Sequence, residues 1–157
     1  METSDLELLA ALLRGERLLT LAVVVEGEPV AGVLPFLAED GLQSLLVHSS
    51  ALARHSRGLA PGSRYAAAIH RPLSPGDDPL RAQRLLVEGT VEEVKEAERE
   101  AIATAWVAAY PSAGMTVGLG DFVFSRLRIE GGRLVAGFAR ASGLAASVLA
   151  EAAALAG

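Results

Sequence analysis

The strongest constraint on this chain's fold is how little sequence separates its first apolar runs. Residues 18–26 are rich in β-branched side chains and read as a strand, followed by a Gly27-Glu28-Pro29 turn. Residues 30–38 form a second strand, in which Pro35 marks a bulge or an edge. Glu39-Asp40-Gly41 then turns the chain into a third strand, residues 42–48. Parallel neighbours need a long crossover, so these strands must pair antiparallel. Residues 64–70 and 83–94 add two more strands, the second bent at Gly89. Residues 121–130 and 133–139 read as a hairpin around Gly131-Gly132. So many antiparallel strands in 157 residues point to a barrel or a sandwich, and a barrel removes the exposed sheet edges.

Helices flank this pattern. One spans about 5–14, capped by Ser4 or Asp5, with Leu6, Leu9 and Leu13 at helical spacing. A short one over 51–59 is capped by Ser49-Ser50 and closed by Pro61-Gly62. Residues 95–110 carry the clearest helix, with Ile102, Trp106 and Ala109 on one face and Tyr110-Pro111 as its stop. An alanine-rich helix runs from about 142 to 156. The expectation is one domain over 1–157, with its core at about 18–141.

Composition excludes several functions. The net charge of -5 argues against wholesale binding to nucleic acid or an anionic membrane. The absence of cysteine removes disulfides, zinc ribbons, iron–sulfur clusters and thiol nucleophiles together. Arg14, Glu16 and Arg17 interrupt the first apolar run, and the acidic N-terminus is unlike a signal peptide, so a cytoplasmic protein is expected. The histidines lack metal-ligand spacing, and no metal site is expected. No nucleophile elbow or Walker sequence is present.

The informative feature is a charge asymmetry. No Asp or Glu occurs between Asp40 and Asp77, although the protein is acidic. That stretch holds Arg54, Arg57, Arg64 and Arg71 and all three histidines, His48, His55 and His70. Within it a strand runs through Ser49-Ser50 into the short helix, whose start would offer free N–H groups, hydroxyls and the positive end of a dipole to an anion. The competing reading is a plain helix cap with solvated arginines. Arg84 opens an apolar strand, either as a cofactor contact or as a side chain snorkelling to water.

Two stretches, Pro29-Val30-Ala31-Gly32-Val33-Leu34-Pro35-Phe36 and Leu45-Leu46-Val47-His48-Ser49-Ser50-Ala51-Leu52-Ala53-Arg54-His55-Ser56-Arg57, resemble the pyridoxamine 5′-phosphate oxidase-related superfamily, above all its haem-utilisation branch. Arg84-Leu85-Leu86-Val87-Glu88-Gly89, Tyr110-Pro111, Gly120-Asp121-Phe122 and Gly137-Phe138-Ala139-Arg140-Ala141 continue the match in order, over roughly 18–141.

The resemblance implies a mainly β (α+β) fold, a Greek-key split β-barrel that forms a homodimer and binds flavin mononucleotide (FMN) at the subunit interface. It places Val33, Leu34 and Pro35 along the flavin ring, Ser49 and Ser50 on the phosphate, Arg54 and His55 beside it, and Arg84 at the cofactor. The implied function is a flavin-dependent oxidoreductase of unknown substrate, and the sequence nominates no catalytic acid or base. A haem-binding protein is the alternative, and a cofactor-free dimeric interaction module the second. Haem-binding relatives supply a histidine near the C-terminus, whereas no histidine follows His70 here. Ala139 also replaces the more usual glycine of the Gly-Phe-Gly-Arg motif, and Gly58 stands where asparagine is common.

Overall fold

The computed structural model describes residues 1–155. Its elements run α1 (Thr3–Gly15), β1 (Leu18–Val25), β2 (Glu28–Ala38), β3 (Ser44–Ser50), β4 (Arg64–His70), β5 (Arg84–Glu92), α2 (Glu96–Ala109), β6 (Phe122–Gly137), β7 (Arg140–Leu144) and α3 (Ala146–Leu155). The strands pair antiparallel in the order β3-β2-β1-β4-β5-β6-β7, and β3 also pairs with β6. That pairing closes six strands into a barrel and leaves β7 as a flap on β6. The mainly β barrel with flanking helices is the fold the strand pattern and the resemblance imply.

Strict alternation sets the wall. Along β1, Leu19, Leu21, Val23 and Val25 point inward, while Leu18, Thr20, Ala22 and Val24 point out. Glu26 and Gly27 both have positive φ, 54° and 81°, and make the two-residue turn whose twist suits a hairpin. The barrel is split between β2 and β3. These strands pair only at Phe36–Ala38 and then part, and Pro35, with no N–H to donate, stands at the fork. A 3-10 turn, Arg54–Gly58, fills the gap. Its His55 ring seats against Gly32, where a Cβ would fall 2.7 Å from Nδ1.

Four expectations need correction. Residues 51–59 do not form an α-helix. Ser56 Oγ donates to the Ser50 carbonyl at 2.7 Å, holding the chain in a tight turn and taking an acceptor from any helical ladder. Within 121–139 the chain forms one 16-residue strand, Phe122–Gly137, not a hairpin. Gly132 lies inside it at φ 154°, where a Cβ would come 2.1 Å from the Leu86 carbonyl oxygen, so this glycine serves a close crossing of β5. The turn falls instead at Phe138-Ala139, so 140–144 pairs back as β7 and the last helix begins at Ala146. The end expected for it, Ala156, lies outside the described residues. Lastly, Asp5 does not cap α1, which starts at Thr3 after Glu2. Its buried carboxylate takes Arg140 Nη2 at 2.8 Å and ties α1 to β7.

A second, smaller core lies outside the barrel. Trp106 and Ile102 of α2 pack with Leu46 and Val94, flanked by Leu37, Tyr110 and Phe124. Arg126 pins this layer down, donating to Glu39 from Nε at 2.8 Å and Nη2 at 2.9 Å, and to Glu98 from Nη2 at 3.0 Å. Burial raises the Glu39 carboxyl, but hydrogen bonds from Arg126 and Ser44 outweigh it and hold the group below its ordinary range. Among the described residues no helix is long and apolar enough to cross a membrane.

Candidate cofactor site

Cross-strand registers assemble an unusual outer face on the barrel. Val33, Thr20, Ala68, Leu86 and Arg133 are successive partners across β2, β1, β4, β5 and β6. The next row is Ala31, Ala22, Ala66, Glu88 and Gly131. Small side chains in the middle of these rows leave two grooves. One of about 430 Å³ runs past Leu18, Thr20, Val33, Ala68 and Pro72, with Arg17 and His70 on its rim. The other, of about 470 Å³, continues from Thr20 and Ala68 over Ala22, Ala66 and Leu86 to Arg133. The alternation of Thr20 and Ala22 in β1 with Ala66 and Ala68 in β4 was the available sequence signal for this face, and sequence reasoning passed over it.

The strand period divides the expected site residues. Val33 is 64% exposed on the outer face, and Pro35 shares that side of β2. Leu34 points into the barrel and is buried, leaving only its main chain for a ligand. Ser49 and Ser50 point to opposite sides of β3. Ser49 Oγ is buried inside the barrel mouth, 3.0 Å from Ser56 Oγ. Because the Ser56 proton goes to the Ser50 carbonyl, the Ser49 proton must go to Ser56, and neither hydroxyl keeps a proton for a phosphate. Ser50 differs: its Oγ accepts from the Leu52 N–H at 3.2 Å and its proton is free.

Continuing the β2–β3 register past Phe36 and Val47 sets Val33 opposite Ser50 across the split. Arg54 is exposed and, among the described residues, makes no ion pair, whereas Arg57 pairs with Glu26 at 3.2 Å. The structure therefore sets Val33 and Pro35 on the outer side of β2 across the split from Ser50, and the exposed Arg54 opens the turn that follows. His55 is the wedge beneath Gly32, with Nε2 buried and unpartnered. Arg84 is half-buried, donates to the Ala82 carbonyl at 3.2 Å and pairs in register with His70. It faces Val135 of β6, whereas Ser50 faces Phe122 of the same strand, 13 residues or about 43 Å of strand away at roughly 3.3 Å per residue. Within one chain Arg84 and Ser50 cannot hold the same phosphate.

His48, beside Ser50 on the outer face of β3, is enclosed by aromatic rings. Phe124 stacks at 4.2 Å, Phe122 lies at 5.3 Å and Trp106 meets it edge-on at 5.8 Å. It is 7% exposed, its Nε2 has no partner among the described residues, and burial holds its pKa below the ordinary value.

Several solved structures share this architecture. A heme binding protein from Mycobacterium smegmatis superposes with a TM-score of 0.82 and 27% identity over 96% of this chain and 62% of its own. HutZ, the heme storage protein from Vibrio cholerae, gives 0.66 and 19% identity over 82% of this chain and 89% of its own. A putative pyridoxamine 5′-phosphate oxidase from Listeria innocua gives 0.58 and 19% over 81% and 94%. The last two likenesses concern the fold alone. No protein-family model and no curated protein sequence matches the chain. By its fold the chain is a split β-barrel, the architecture these solved structures share. It spans 62% of the length of the Mycobacterium smegmatis protein.

Proposed function

We propose that the chain binds FMN on the outer face as a homodimer. What supports this is an apolar groove edged by Val33, which stands opposite Ser50 across the split, and the carboxylate-free turn after Ser50, which carries a free hydroxyl and the exposed Arg54. A planar apolar body with one phosphate fits that donor set. Bound flavin would supply hydride and electron transfer, making the protein an oxidoreductase of unknown substrate. Val33, Pro35 and Thr20 pack against the ring, and Leu34 contributes main chain. Ser50 and Arg54 hold the phosphate, while His55 fixes the turn that presents them. The uncovered apolar rows of β1, β2, β4 and β5 are the surface a second copy would bury. Pairing would also give Arg84 a role at the other subunit's cofactor.

Arginine–phosphate hydrogen bonds are worth roughly 1.5–3 kcal/mol each, or about one to two powers of ten in affinity. Fluorescence titration should therefore show FMN binding about 10–100-fold tighter than riboflavin, with Arg54→Ala abolishing most of the difference. Equal affinities for FMN and riboflavin would refute the phosphate site.

A second reading is haem binding. It is favoured by the 27% identity, over nearly the whole chain, to a heme binding protein.

A further inference from the structure

We infer that His70 is the axial ligand for the iron of a haem seated in the outer groove, an assignment that rests on the haem reading above. His70 closes β4, and its Nδ1 lies 3.0 Å from the Arg71 carbonyl oxygen. A carbonyl only accepts, so Nδ1 carries the ring proton and Nε2 is left with a free lone pair. This is the tautomer an imidazole needs in order to ligate a metal, held by a backbone contact of the kind that orients metal-bound histidines. The other two histidines cannot compete. His48 Nε2 is sealed among Trp106, Phe122 and Phe124, and His55 Nε2 is buried beneath Gly32.

The surroundings select the ligand class. Among the described residues no cluster of metal-ligating side chains exists. One imidazole cannot hold a bare ion, but it suffices for an iron already held by four macrocycle nitrogens. The groove that His70 rims is floored by short side chains, Thr20, Val33 and Ala68, standing on a sheet, and so offers a planar apolar seat. Arg17 shares the rim, Arg84 is His70's partner in register, and Arg71 follows it in sequence. Among the described residues none of the three is in an ion pair, and together they outnumber the one carboxylate on the rim, Glu16. That balance suits the two propionates of haem.

The test is a ferric haem titration of the full chain, read in the Soret band, with His70→Gly and His48→Phe beside it. The unmutated protein should bind saturably, one haem per chain. His70→Gly should shift the band and weaken binding by about tenfold or more, since losing even an outer partner of a metal ligand costs about tenfold. Free imidazole added to His70→Gly should restore the original spectrum, which a merely structural role for His70 would not allow. His48→Phe should leave the spectrum unchanged. If His70→Gly keeps the parent spectrum and affinity, or His48→Phe loses them, the assignment is overturned while haem binding stands. If the unmutated protein shows no saturable Soret change, the haem reading itself is overturned, and the assignment with it.

Discussion

Gly32→Ala should disturb the turn that carries the proposed phosphate site, because the new methyl enters the space of the His55 ring. The added Cβ would lie 2.7 Å from Nδ1, 2.9 Å from Cγ and 3.1 Å from Cε1. Ordinary contacts between such atoms are about 3.5–4.0 Å, so the ring must retreat by roughly 1 Å. It has little room, since Nε2 on its far side is fully enclosed. Overpacking of this kind costs roughly 1–3 kcal/mol. In a domain of this size each kcal/mol moves Tm by about 2–4 °C, so a fall of about 2–12 °C is expected. The source of the cost is isolated by a double-mutant cycle with His55→Ala, followed by thermal and urea unfolding. Once the ring is removed, Gly32→Ala should cost no more than about 0.5 kcal/mol, giving a coupling of roughly 0.5–3 kcal/mol. If the two substitutions are additive, Gly32 does not seat His55, and the account of the split is wrong.

The enclosed His48 predicts a pH dependence. Its folded pKa lies below the ordinary 6.5, so the unfolded chain takes up the proton more readily, and stability should be full above that value and fall as the pH drops through it. Urea unfolding between pH 5 and 8, followed by the fluorescence of the only tryptophan, Trp106, should show this slope, and His48→Phe should flatten it; an unchanged slope in the variant would assign it elsewhere. Arg126→Ala strips the partly buried Glu39 of a bidentate partner and should cost about 2 kcal/mol, with loss of near-ultraviolet circular dichroism from the α2 layer. Ala139 sits at φ 57° in the β6–β7 turn, so Ala139→Gly should raise stability by up to about 1 kcal/mol, and a drop in Tm would contradict the strained turn.

The barrel was legible because alternation and turn chemistry act over a few residues. Leu18 to Ala38 could be read as two strands around a turn because each burial choice is made locally. The features that were misread depend on contacts distant in sequence. Gly131-Gly132 resembles a turn until Leu86 is seen to cross it, and Asp5 resembles a cap until Arg140 arrives from the far end of the chain. The acid-free stretch is where the proposed phosphate site lies, and Arg54 and Ser50 remain available in it. The split between Ser49 and Ser50 was in principle readable, since neighbours on a strand face opposite ways, but the expected helix at 51–59 obscured it. The inward turn of His55 could not be read, because it depends on a glycine 23 positions earlier. Nor could the separation of Arg84 from Ser50, which follows from their registers on β6.

A flavin site completed by two copies of the chain can be followed by sedimentation velocity, with protein and visible flavin absorbance recorded together. FMN should travel with a species of twice the 16.3 kDa chain mass, at one FMN per chain, while riboflavin at the same concentration largely stays behind. A monomer that carries FMN at full occupancy, or a dimer that leaves FMN at the meniscus, would contradict it.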